Sequence, residues 1–129
     1  MPTWAEVQEY ARSKYKLADD QEGNFKLVFE YDNRRLQAVI VSRFEALNRE
    51  WCDFASAACK LDQMPPEEAL RRNYQFAVGA LALHEDIYVV RYSVQMGTMD
   101  MEEFELPLHV VASTADKLEQ EFASGQDQF

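Results

Sequence analysis

The 129-residue sequence predicts an α+β fold in which one antiparallel sheet is framed by helices. Three observations carry that reading. They are a helix-start signature at Thr3, two pairs of alternating apolar runs broken by turn residues, and a helical stripe that begins near Phe104. Taken in order they give helix, three strands, helix, two strands, helix.

Thr3-Trp4-Ala5-Glu6 has the form of a capping box, and Trp4, Val7, Ala11 and Tyr15 follow at helical spacing, so the first helix is expected over residues 4–16. The polar run 18–24 ends it. Phe25, Leu27, Phe29 and Tyr31 then alternate with Lys26, Val28 and Glu30, a strand with one strongly apolar face. The segment 36–44 alternates as well. A two-residue turn centred on Asp32-Asn33 or on Asn33-Arg34 places Leu36, Ala38 and Ile40 on the core face with Leu27 and Phe29. Val39 and Val41 then fall on the reverse face with Val28.

Small apolar residues on both faces of 50–59 suit a strand inside the sheet. Met64-Pro65-Pro66-Glu67-Glu68 reads as a helix entry, with proline in the first turn and acids at the positive end of the dipole. That helix should reach Tyr74 or Gln75. Between Ala77 and Met96 the period returns to two, and a turn at Glu85-Asp86 aligns Leu81 and Leu83 with Tyr88, Val90 and Tyr92. Phe104, Leu108, Val111, Ala115, Leu118 and Phe122 form the last helix, in which Pro107 predicts a kink or a break into two helices.

Length fits one domain, expected over residues 1–125, with a mobile tail at 126–129. A hydrophobic share of 47% with 28% charged residues supports a packed core rather than disorder. The formal charge of −10 excludes the electrostatics of a nucleic-acid or anionic-membrane binder. No apolar run approaches the length of a membrane span and no secretory leader opens the chain, so a cytoplasmic protein is expected. From Gly97 onward eight acids face a single base, which makes the final helix an acidic amphipathic element.

Chemistry-bearing patterns are scarce. His84 lies at a hairpin turn and His109 beside Leu108 on the last helix, neither next to a nucleophile or a metal-ligand partner. Cys52 and Cys59 match no zinc or redox spacing, and seven residues apart in a strand they point to opposite faces, as buried free thiols. The acid pairs Asp19-Asp20, Glu67-Glu68, Glu85-Asp86 and Glu102-Glu103 fall at turns or helix entries, where carboxylates cap backbone or stay hydrated. Four glycines cannot build a phosphate loop. No enzyme activity, cofactor or metal is expected.

The reverse side of the sheet is the candidate site. There Val28, Val39, Val41, Ile87 and Val89 interleave with polar residues, and helices covering only one face would leave them as a semi-exposed contact patch.

The element order resembles the class I type III secretion chaperone fold and the chaperone-like YbjN-type family. The resemblance rests on the hairpin from Phe25-Lys26-Leu27-Val28-Phe29-Glu30-Tyr31 to Phe44, the entry Met64-Pro65-Pro66-Glu67-Glu68 after a third strand, the hairpin 80–96, and Met101-Glu102-Glu103-Phe104 opening an acidic terminal helix. It implies a non-enzymatic, chaperone-like homodimer that holds an unfolded or extended segment of a partner protein. The alternative it implies is a regulatory, sensory-transduction-type domain working by reversible protein contacts. Pro107 departs from a simple single-helix ending.

Overall fold

The capping box at Thr3 forms as the sequence demands. The Glu6 amide donates to Thr3 Oγ1 at 3.2 Å while the Thr3 amide reaches Glu6 Oε1 at 3.4 Å, and α1 runs over Trp4–Lys14. The computed structural model describes residues 2–31 and 34–123, so the expected tail at 126–129 lies outside the described residues. Six strands follow: β1 (Asp19–Asp20), β2 (Asn24–Glu30), β3 (Leu36–Ala46), β4 (Arg49–Lys60), β5 (Ala80–His84) and β6 (Ile87–Gln95). All pairings are antiparallel in one sheet of order β1-β2-β3-β4-β6-β5, with α2 (Pro66–Gln75) between β4 and β5 and α3 (Met101–Phe122) after β6.

β4 occupies the sheet interior, which is why its small residues serve both faces. The helices gather on one side. α3 packs across β3, β4 and β6, and its Phe104 ring meets Phe54 edge-on at 5.4 Å. Trp4 of α1 stacks on Phe25 at 5.5 Å, and Tyr10 meets Phe104 at 5.6 Å. Between these layers Phe25, Leu27, Val39, Val41, Phe54, Val90, Leu108 and Val111 are buried. α2 joins the same layer through Arg72, whose Nη1 donates to Glu121 of α3 at 2.8 Å and whose guanidinium lies over Phe122.

The first hairpin corrects the expected register. Tyr31 donates its amide to the Arg35 carbonyl, so three residues, 32–34, separate the paired ends instead of two. Arg34 takes a left-handed φ of 66°; Asp32 and Asn33, on which the expected turn was centred, lie outside the described residues. An odd loop shifts the pairing by one and turns every β3 side chain over. Leu27 faces Val39, Phe25 faces Val41 and Phe29 faces Gln37. Leu36, Ala38 and Ile40 therefore lie on the side away from the helices. The second hairpin keeps the expected turn at Glu85-Asp86, pairing Leu83 with Tyr88 and Leu81 with Val90.

Three further expectations change. The register slips by one between Ala57 and Cys59, so Ala58 is an extra residue and Cys59 returns to the face of Cys52. Both cysteines are free and buried, and burial is the main reason the Cys52 thiol is pushed up to about 12 and the Cys59 thiol to about 11. Pro107 sits buried inside one continuous helix, so of the two expected outcomes the break into two helices does not occur; a single lost backbone bond in the second turn is outweighed by the apolar stripe that α3 packs on the sheet. Asp19 and Asp20, expected in a loop, pair with Lys26 and Phe25 as a short edge strand, and Asp20 accepts from Gln8 and Arg12 of α1. At the far edge the Asn73 side chain of α2 bonds both backbone groups of Leu81, accepting its amide at 2.6 Å and donating to its carbonyl at 3.2 Å.

Candidate functional site

With all three helices on one side, the other side of the sheet is bare. Val28, Leu36 and Ile40 are 43%, 44% and 49% exposed there. Val28 stands opposite Ala38, Ile40 opposite Ala55, and Val89 opposite both Ala57 and Ala82. Alanines thus floor a shallow depression of about 380 Å³ with Ile40 and Val89 at its sides. Toward the β3–β4 turn, Phe44 and Trp51 stack at 6.2 Å. Between depression and stack lies one polar group, in which buried Asp53 accepts from Arg91 Nη2 at 3.0 Å and from Ser93 Oγ at 2.8 Å.

Of the five residues expected to form this patch, the structure brings Val28, Ile87 and Val89 to the open face. Val39 and Val41 are corrected. Both are fully buried against the helices, because the three-residue loop carries their strand one step out of the expected register. Their places on the open face belong to Leu36, Ala38 and Ile40. Periodicity alone could not find these, since β3 is apolar on both faces and polar Gln37 takes an inward place. The core accepts Gln37 because its Nε2 donates to Ser56 Oγ at 2.8 Å and to the Ala57 carbonyl at 2.7 Å.

The two histidines lie on different elements, His84 at the end of β5 and His109 within α3. His84 is exposed at the second hairpin. His109 is exposed, with its ring 5.2 Å from that of Phe29 and its Nε2 3.3 Å from Glu105. No group of three or more His, Cys, Asp or Glu among the described residues is placed to hold a metal ion. No described helix is long and apolar enough to cross a membrane.

Glu105 is the hub of the α1–α3 seam. It accepts from Tyr15 Oη at 2.6 Å, from Tyr10 Oη at 2.9 Å and from Lys14 Nζ at 2.7 Å. Partial burial pushes its carboxyl up, but these three donors outweigh burial and hold it below the usual carboxylate range. Its folded pKa therefore lies below its unfolded one. The stabilisation is present above the unfolded value and is lost as pH falls through the folded one. Urea midpoints measured from about pH 7 down to about pH 3 should fall less steeply for Glu105→Gln than for wild type, and identical slopes would remove Glu105 from the acid response.

No protein-family model and no curated protein matches the sequence. Among solved structures, the fold is similar to that of a chain in the HopA1-SchA chaperone-effector complex, with a TM-score of 0.63 and 16% sequence identity. The match covers 88% of this chain and 90% of that one. The order of helices and strands and the single antiparallel sheet are those of a type III secretion chaperone-like fold.

Proposed function

We propose that this type III secretion chaperone-like domain is a non-enzymatic, cytoplasmic protein-binding module that holds an unfolded or extended segment of a partner protein and works as a homodimer. The observation that carries the reading is the bare sheet face, where Ile40 and Val89 flank an alanine floor and Val28 stands exposed on the same face. Apolar side chains left in contiguous contact with water mark an association surface. A flat floor between aliphatic walls suits side chains of an unfolded segment, whose sequence need not be unique. A second exposed apolar pair suits the other copy: Leu70 and Tyr74 on α2 are 70% and 92% exposed. The similarity to a chain from a chaperone-effector complex agrees with protein binding.

The test uses threonine, which keeps β-branching and strand propensity while adding a hydroxyl. Val28→Thr with Ile40→Thr should leave circular dichroism and the urea midpoint nearly unchanged. The same variant should lose suppression of the aggregation of reduced insulin. The matching pair on the covered face, Val39→Thr with Val41→Thr, should instead lower stability by about 1–3 kcal/mol per site, since each hydroxyl enters a packed core. Full suppression by the open-face variant would sink the assignment of that face, and a monomer in sedimentation would remove the homodimer.

A further inference from the structure

On the premise that the bare sheet face holds the partner segment, Arg91 indicates which segment it prefers. Arg91 and His84 are the polar side chains of the depression floored by Ala55, Ala57 and Ala82, and among the described residues no acid lines it. Arg91 is tethered from below. Its Nε lies 3.2 and 3.4 Å from the two carboxylate oxygens of Asp53, and its Nη2 donates to Asp53 Oδ1 at 3.0 Å. Ser93 Oγ donates to that same oxygen at 2.8 Å. The Asp53 side chain is 10% exposed and that of Arg91 48%. Nη1 of Arg91 makes no hydrogen bond among the described residues.

An arginine beside a buried carboxylate ordinarily serves to neutralise it. Here that takes two of its three nitrogens, and the third belongs to a half-exposed side chain whose planar fork is held in one orientation at an apolar depression. The surroundings set the sign of what it can bind. Although the chain carries −10 overall, strand alternation places Arg49, Lys60 and Arg91 against Asp53 on the bare face of β3, β4, β5 and β6. We propose that Arg91 is a specificity-determining residue that takes a glutamate or aspartate of the partner segment. The alanine-floored depression takes an apolar side chain two residues away in that segment. The spacing is the strand's own: Val89 and Arg91 stand two residues apart on one face of β6, about 6.6 Å, as do alternate side chains of an extended segment laid along it. The overall charge repels strongly acidic segments, so the preferred client carries an isolated acid among apolar residues.

Fluorescence anisotropy tests this with a labelled peptide, Leu-Ser-Leu-Ser-Glu-Ser-Leu, and the same peptide carrying glutamine for glutamate. Wild type should bind the glutamate peptide at least about tenfold more tightly, the scale of one charge-assisted hydrogen bond. Arg91→Gln alone would strand the buried Asp53 carboxylate, so the variant combines it with Asp53→Asn. That pair removes one charge of each sign and leaves the long-range field of the molecule unchanged. The double variant should bind the two peptides alike. A glutamate preference that survives in it would overturn the role of Arg91, and so would equal binding of the two peptides by wild type. The wild-type comparison needs no variant and decides the matter even where the double variant does not fold. If neither peptide binds wild type, the sheet-face reading fails and the role of Arg91 with it. If both bind equally well, the face stands and the role of Arg91 alone falls.

Discussion

Replacing Phe104 with alanine is expected to lower the free energy of unfolding by about 3–5 kcal/mol. The ring is fully buried at the centre of an aromatic cluster, 5.6 Å from Tyr10, 6.4 Å from Phe25 and 5.4 Å from Phe54. It thereby ties the first turn of α3 to α1 and to two strands at once. Three elements line the resulting void, so none can collapse into it without leaving the others. Urea unfolding followed by tryptophan fluorescence gives the measurement, and a loss below about 1 kcal/mol would mean that α3 is not seated on the sheet as described. Phe29→Ala is the milder comparison, because that ring is only half-buried and meets Tyr15 and His109 at the margin of the core.

Arg35→Ala is expected to cost about 3–5 kcal/mol, for a different reason. Arg35 Nε lies 2.9 Å from Asp116 and its Nη2 lies 2.9 Å from Glu119, all three side chains being nearly or fully withdrawn from water. Truncation would leave two carboxylates buried together, where their repulsion and lost hydration add. The variant Arg35→Met, Asp116→Leu, Glu119→Leu removes all three charges and should recover most of that loss. If the single and triple variants unfold at the same urea concentration, the penalty arises from lost packing of the arginine stem rather than from stranded charge.

Elements whose boundaries are set by local chemistry were legible in the sequence. Thr3 and Glu6 began α1, the proline pair and two acids began α2, and Glu85-Asp86 turned the second hairpin with the correct faces. The first hairpin was misread because its two strands are joined by three residues, and both candidate turns had two. One residue of loop decided whether Val39 or Ile40 meets the helices. Cys59 illustrates the same limit inside a strand, where a bulge after Ala57 cancels the parity that places it opposite Cys52. Counting along a sequence yields alternation, but the absolute face depends on insertions that leave no compositional trace. Of the candidate patch, Val28, Ile87 and Val89 were found because the slip does not touch β2 or β6. The Arg35 cluster was not found, since its three members lie far apart in the sequence and each alone resembles a surface charge.

A naked face and a naked edge carry different dangers. Faces associate through side chains, so contact there ends when the patch is covered, whereas an unpaired edge hands each newcomer another edge and continues without limit. At one end of this sheet Asn73 plugs into the backbone of Leu81 like a false strand of a single residue, and at the other β1 stops after two. The molecule can therefore leave apolar surface wet between encounters without becoming the seed of a fibre.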